Sequence, residues 1–325
     1  MGRATVIVPL IVIALLVAGF LLGPRPKVDT TVTFDPGAIG PDPEAYLAQR
    51  EAAVKNIRPG LQKEIVWADP TTKAKTPLAI VYIHGFSASK GEIRPLPDIV
   101  AKALGANLFY TRLTGHGQDG PALATASVND WINDYAEAIA IGRLIGDKII
   151  VIATSTGGSL TTWAASQPSL SQGVAAAVLI SPNYGLKAAG SDLLTLPWGG
   201  QLAELFIGKE RSFEPLNDRH AALWTTRYPT RALLPLAAVT KLAYEAPVEA
   251  IKIPALFIFS DNDKVVRPEL TREIAGRWGA PHELVPVERS DDPYNHVLAG
   301  DAVSPSTTQI LTGPIIAWIR ATAPP

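Results

Sequence analysis

The chain has 325 residues, 47% of them hydrophobic and 18% charged, with a formal net charge of -1 and no cysteine. This composition supports a sizeable core and excludes gross disorder. It also removes disulfides, thiolate metal sites and a cysteine nucleophile, and the absence of a basic stripe interleaved with aromatics argues against nucleic acid as a partner.

The run Thr5–Leu22 carries no charge. As a helix, about 18 residues at ~1.5 Å each reach ~27 Å, close to the ~30 Å hydrocarbon core of a bilayer. Pro9 is tolerable near the start of such a helix. Residues 1–23 are therefore expected to form a single-pass membrane anchor. A cleaved signal peptide is the rival, but no small-x-small site closes the run, which ends Phe20-Leu21-Leu22-Gly23-Pro24. A terminal apolar run fits a buried core helix poorly. Arg3 on one side and Arg25 and Lys27 on the other barely discriminate orientation; an extracytoplasmic domain is the expectation adopted. Residues 24–60 are punctuated by Pro24, Pro26, Pro36, Pro41, Pro43 and Pro59 and read as a tether, with one short helix over Glu44–Val54.

Residues 61–325 read as one α/β domain. Strand-like runs lie at Leu61–Trp67, Leu78–His84, Asn107–Leu113, Lys148–Thr154, Ala175–Ser181, Ala255–Ser260 and Glu283–Val287. Helical spacing lies at Leu96–Leu104, Asn129–Leu144, Gly158–Ser166, Pro268–Trp278 and Thr307–Ile319. The alternation implies a mostly parallel sheet with helices on both faces, and a site at the carboxyl ends of the strands. Residues from about 184 to 250 break the alternation and are expected to form a small cap of short helices. Most of its apolar side chains should seal the cap to the core; a minority could line an acyl pocket.

The most informative stretch is Ile149–Gly158, a β-branched apolar run ending in Ala-Thr-Ser-Thr-Gly-Gly. A sharp strand-to-helix turn pushes its middle side chain outward and needs small neighbours, here Ala153 and Gly157, which makes Ser155 a candidate nucleophile. A serine needs a base and an acid to orient that base. Of His84, His116, His220, His282 and His296, the last is the best base, because its polar loop follows the last strand. His220 and His282 read as structural. The acid should follow the preceding strand, where Asp261 and Asp263 compete. A turn that places one carboxylate beside the imidazole leaves the other to cap backbone amides; Asp263 is preferred for the imidazole, with Asp261 as the fallback.

The developing oxyanion needs donors. One is the Thr156 amide at a helix N-terminus; the other is the Phe86 amide in the loop after Leu78–Ile83, where Gly85 should permit an unusual backbone path. His84 reads as a residue that bonds the loops. Gly115–Gly120 matches G-x-G-x-x-G, but Pro121 and a delayed helix follow, so dinucleotide binding is rejected. No zinc-ligand spacing is found.

These pieces resemble the α/β-hydrolase superfamily, in particular its carboxylesterase and monoacylglycerol-lipase-like branch, which includes serine-aminopeptidase-like members. The resemblance runs from about Leu61 to Ile319. It rests on His84-Gly85-Phe86, Arg112-Leu113-Thr114-Gly115-His116-Gly117, Asp130-Trp131-Ile132-Asn133-Asp134, the Ser155 elbow, Asp263 with Val265-Val266, and His296, in the order Ser…Asp…His. It implies an eight-stranded, mostly parallel sheet, a helical cap after the sixth strand, and a triad without cofactor or metal. Ala153 stands where a glycine is usual, and Ser260 where a glycine commonly precedes the acid. The expectation is a membrane-tethered serine hydrolase acting on a small-molecule ester with an apolar acyl group. Two alternatives stand beside it. One is a serine aminopeptidase or amidase, for which Glu204, Glu210, Glu214 and Asp218 of the cap could hold an amine. The other is a non-catalytic binding module.

Overall fold

A computed structural model of the chain describes residues 4–324, with the side chains of 4–6, 8 and 9 outside that description. Its main sheet has seven strands: β1 (Glu64–Val66), β2 (Thr76–Ile83), β3 (Asn107–Tyr110), β4 (Gly146–Thr154), β5 (Val174–Ile180), then β8 (Ala255–Phe259) and β9 (His282–Pro286), with the hairpin β6 (Glu210–Ser212) and β7 (Arg227–Pro229) between β5 and β8. The order across the sheet is β1-β3-β2-β4-β5-β8-β9. Only β1 runs antiparallel to its neighbour.

Strand periodicity divides the core in two. Val81, Ile83, Val151, Ala153, Leu179 and Phe257 face the helices Val128–Ile145, Thr156–Ala165 and Leu233–Tyr244. Ile80, Tyr82, Ile150, Ile152, Val178 and Ile258 face Leu96–Leu104 and Pro305–Thr322. Strands buried on both faces have no polar side to alternate with, hence the continuous apolar runs in the sequence.

The count of eight strands implied by the resemblance is corrected to seven, the number of runs legible in the residues. The chain before β1 does not pair as a strand: the Lys63 N–H donates to Glu51 Oε2 at 2.9 Å. The far end of β1 is closed by Ala68 N–H donating to Asn107 Oδ1 at 2.9 Å, so the edge strand is shorter than Leu61–Trp67. Likewise β3 stops at Tyr110, and the Leu113 N–H is taken by His84 Nε2 at 3.0 Å. The cap consequently follows the fifth strand, not the sixth. It holds the helices Gly199–Ile207, Asp218–Leu223 and Leu233–Tyr244 and the β6–β7 hairpin, which was not expected.

Segment 24–60, expected as a tether, lies against the domain. The Thr33 and Phe34 N–H groups donate to Asn133 Oδ1 at 2.7 and 2.8 Å, and Ile39, Tyr46 and Leu47 are buried in the core. Glu51, in the helix Pro43–Ala52, takes a bidentate pair from Arg112 at 2.7 and 2.9 Å. The helix Ala4–Leu21 precedes it, and its described side chains, Ile7 and those from Leu10 to Leu21, are exposed. Among the described residues no helix is long and apolar enough to cross a membrane.

Candidate active site

The site begins where β4 ends. Ser155 takes φ 50° and ψ -114°, a region that costs a non-glycine residue about 1–3 kcal/mol and persists only where neighbours over-determine it. Three backbone bonds do so: Ser155 N–H to Ile180 O at 2.9 Å, Asn183 N–H to Ser155 O at 3.1 Å, and Ser159 N–H to Ser155 O at 3.1 Å. Small residues let the turn close. A Cβ on Gly157 would fall 2.3 Å from Ile83 O and 2.7 Å from His84 O, and one on Gly158 would fall 2.9 Å from Pro182. Ala153, buried between Ile83 and Leu179 in register, fits where glycine is usual.

His296 Nε2 lies 3.0 Å from Ser155 Oγ, and His296 Nδ1 lies 2.8 Å from Asp263 Oδ2. A carboxylate can only accept, so Nδ1 carries the proton and the Nε2 lone pair faces the serine hydroxyl. Burial works against a charged imidazole here, but Asp263, with Asp292 and Glu92 behind it, outweighs burial and raises the His296 pKa. Asp263 is itself fixed. Its Oδ1 accepts the Val265 and Val266 N–H groups at 2.7 and 2.9 Å, and Lys187 of the cap donates to its carbonyl. One carboxylate thus does both jobs that the sequence divided between Asp263 and Asp261. Among the described residues Asp261 caps no amide; it pairs with Arg272 at 2.7 Å on the surface, where the guanidinium geometry captures it.

The Phe86 and Thr156 amides, the expected oxyanion donors, are bonded to no acceptor among the described residues. The Phe86 ring is held edge-on against Tyr228, with centroids 5.3 Å apart. Gly85 is needed for space, not for an unusual φ: it is absent from the positive-φ residues, whereas Ser87 has φ 60°. A Cβ on Gly85 would fall 3.3 Å from Ser155 Cβ and 3.1 Å from Glu92 Oε2.

The other histidines hold loops. His84 is fully buried, its Nδ1 on Gly85 O at 2.9 Å, and burial lowers its pKa to about 4, so it stays neutral. The His116 ring lies tilted against His84, with centroids 4.8 Å apart, and its Nδ1 lies 3.2 Å from Thr114 O. His220 Nδ1 accepts the Leu216 N–H at 3.1 Å, and His282 Nδ1 lies 3.0 Å from Ala280 O. In the Gly115–Gly120 stretch, Asp119 caps Ala122 at 2.9 Å, and a Cβ on Gly120 would meet Arg227 O at 2.2 Å. Those glycines serve chain packing. Among the described residues no hydrogen bond joins Glu204, Glu210, Glu214 or Asp218 to the Ser155–His296–Asp263 group, and Glu210 pairs with Arg227 at 2.5 Å on the surface.

Two site residues escaped the sequence reading. Asp292 is buried and accepts the Tyr294, His296 and Val297 N–H groups at 2.9, 3.0 and 2.9 Å, shaping the histidine loop. An aspartate in a Pro- and Asn-containing polar stretch is a turn signal, because its side chain can take the amide two residues on, as Asp292 takes that of Tyr294; Asp-Asp-Pro-Tyr-Asn-His carries it. Glu92 is buried beside Gly85 and carries no such signal.

Residues 80–301 match the model of the alpha/beta hydrolase family. A thermostable monoacylglycerol lipase from Bacillus sp. (strain H-257) is 28% identical over 203 residues, which are 62% of this chain and 76% of that protein. Among solved structures, a metagenome-derived lipolytic enzyme of the LipS and LipT pair superposes with TM-score 0.63 at 23% identity, covering 82% of this chain and 100% of that one. A soluble variant of monoglyceride lipase from Saccharomyces cerevisiae superposes with TM-score 0.59 at 13% identity, covering 83% and 97%.

Proposed function

The chain belongs to the alpha/beta hydrolase family, and from that premise we propose that it is a membrane-tethered serine hydrolase of the esterase or monoacylglycerol-lipase type. The observation that carries this reading is the Ser155–His296–Asp263 chain of 3.0 and 2.8 Å bonds at a strained turn. Ser155 Oγ attacks the ester carbonyl as His296 Nε2 takes its proton, and Asp263 holds the imidazole and balances its charge. The Phe86 and Thr156 N–H groups receive the oxyanion; the Thr156 amide, first in the helix Thr156–Ala165, is also favoured by the helix dipole. The tetrahedral adduct collapses, the C–O bond to the alcohol breaks, and His296 returns the proton to that oxygen. Water, deprotonated by His296, then attacks the acyl carbon; the bond from that carbon to Ser155 Oγ breaks, His296 returns the proton to Oγ, and the carboxylic acid leaves.

An apolar acyl group on a small alcohol is the proposed substrate, in keeping with the monoacylglycerol lipase relative. A membrane source for it is supported by the uncharged run Thr5–Leu22 and by the cap. Trp198 donates from its backbone to Pro24 O at 2.8 Å and from its indole to Gly19 O at 3.0 Å. Trp198 caps the helix Gly199–Ile207, on which Leu205 and Phe206 are 74% and 78% exposed, so the N-terminal helix is joined to a cap helix that also presents apolar surface. That surface suits a bilayer better than water.

The test is a substrate panel on the full chain. p-Nitrophenyl esters of graded acyl length should be hydrolysed and aminoacyl anilides should not. Ser155→Ala should lose several orders of magnitude in kcat, on the order of 10⁴ or more. Anilides turned over faster than esters would replace this reading with an amidase. No turnover of any member by the wild type would favour the binding module.

A further inference from the structure

Resting on the Ser155 reading, we propose that Glu92 is a positioning residue of the reaction, which fixes the loop bearing the Phe86 amide against the Ser155 elbow and faces His296 with a negative charge. Glu92 ends the short turn Lys90–Glu92 and is 3% exposed. A carboxyl group this buried, without a cationic partner on its own turn, is expensive to keep. Lys90 and Arg94, its charged neighbours in sequence, are engaged elsewhere: both pair with Glu64, at 2.5 and 3.0 Å, and Arg94 also with Asp98 at 2.7 Å.

The bonds Glu92 makes lead to the reaction site. Its Oε1 accepts the Gly85 N–H at 2.6 Å and the Tyr82 hydroxyl at 2.6 Å. The Tyr82 oxygen also lies 3.0 Å from Thr154 Oγ1. Tyrosine has one proton, and a carboxylate can only accept; with that proton given to Glu92, Thr154 is the donor of the second bond. A continuous path therefore runs from Thr154, one residue before the nucleophile, through Tyr82 and Glu92 to Gly85, one residue before the Phe86 donor.

The third piece of the site rests on the same turn. A Cβ on Gly300, in the histidine loop, would fall 2.1 Å from the Glu92 carbonyl oxygen. The Asp301 N–H donates to Arg94 O at 2.9 Å. Elbow, oxyanion loop and histidine loop are thus referenced to one residue. Such rigid cross-bracing is what donors aimed at a developing charge require, since they act without reorganising.

Tyr82 bonds the Glu92 carboxyl from β2. Glu92 Oε2 and Ser155 Cβ would lie 3.1 and 3.3 Å from one and the same Cβ placed on Gly85, and Ser155 Oγ lies 3.0 Å from His296 Nε2, so the imidazole stands just beyond the serine from this carboxyl, with Asp263 on its Nδ1 at 2.8 Å and Asp292 on its backbone N–H at 3.0 Å. Burial raises the Glu92 pKa to about 7, opposed by the Tyr82 and Gly85 bonds and by His296. As the carboxylate it attracts a proton to His296; once neutral, it no longer does.

The experiment measures kcat and KM of the full chain for a short p-nitrophenyl ester from about pH 5 to 9, a range that brackets the acid limb set by the base. Active-site titration with a fluorophosphonate corrects each rate for competent enzyme. Glu92→Gln keeps an acceptor for both donors but removes the charge. It should lower kcat by roughly 10-fold to 10²-fold, as misplacement of a reacting geometry does, with KM near that of wild type. Its acid limb should also move to lower pH, because an attraction that raises His296 is gone. Tyr82→Phe leaves the charge and cuts the path to Thr154, so it should lower kcat with the acid limb in place. Glu92→Gln with unchanged kcat, or with a lowered kcat and an unmoved limb, overturns the proposal. If that variant does not fold, Tyr82→Phe with wild-type kcat does the same. A wild type that turns over no ester removes the Ser155 reading and this inference with it; an active wild type with an indifferent Glu92→Gln removes only this inference.

Discussion

Asp263 and Asp261 are two residues apart and could not be separated by composition, yet their surroundings differ completely. Asp263 is 1% exposed and bonded to His296, whereas Asp261 is on the surface with Arg272. Asp263→Asn should therefore lower kcat by about 10⁴-fold, the cost of losing the imidazole's orienting carboxylate, while Asp261→Asn should stay within about three-fold, as a surface pair warrants. Paired pH profiles check the electrostatics. As the proposed base His296 must be neutral, and its neighbouring carboxylates hold its pKa above that of an ordinary imidazole, so kcat/KM should fall as pH drops, at a higher pH than an unperturbed histidine would give. Asp263→Asn should move that limb downward. At this scale the serine, histidine and acid were legible because each stands in a turn after a strand, in a fixed order, with small residues where sterics demand them. Glu92 was not, and Asp292 was legible only as a turn residue, since an acid in a loop ordinarily means a solvated acid and only the folded chain shows that these two are buried.

The strand–turn–helix unit of β4 and Thr156–Ala165 concentrates the geometric demands of the site. Gly157 is the position with least tolerance, because a methyl group there would lie 2.3 Å from one backbone carbonyl and 2.7 Å from the next. Gly157→Ala should destabilise the fold by roughly 1–3 kcal/mol, the range for overpacking, read as a lower Tm. The activity per folded molecule should fall too, because relieving the clash displaces the Thr156 amide. Unchanged Tm and kcat would show that the turn is looser than the distances indicate. Element existence was readable wherever a buried strand made a long apolar run. Ends were overestimated at β1 and β3, where side chains, Asn107 and His84, take over the backbone donors and terminate pairing. The β6–β7 hairpin spans three residues on each side, Glu210–Ser212 and Arg227–Pro229, too few to express a period.

On the scale of the whole molecule, the proline-punctuated segment before the sheet is engaged with the domain. Glu51 and Arg112 have side chains 8% and 5% exposed. Glu51→Ala would leave a guanidinium buried without its partner, a loss of about 3–5 kcal/mol. Chemical denaturation should show a lower midpoint for this variant; a midpoint equal to wild type would mean that the segment is dispensable to the fold. Proline spacing suggested a tether because contacts between positions some 60 residues apart leave no local pattern, as with Glu51 and Arg112. The cap was legible as an interruption, but its exposed Leu205 and Phe206 were indistinguishable in sequence from residues that seal a core.

The central claim is that Ser155 is the nucleophile, and covalent trapping addresses it without knowledge of the natural substrate. The full chain is reacted with a fluorophosphonate, digested, and mapped by mass spectrometry. We expect one phosphonylated peptide, modified at Ser155, lost in Ser155→Ala and formed much more slowly in His296→Ala. An adduct on another residue, or equal labelling of wild type and Ser155→Ala, would contradict the account.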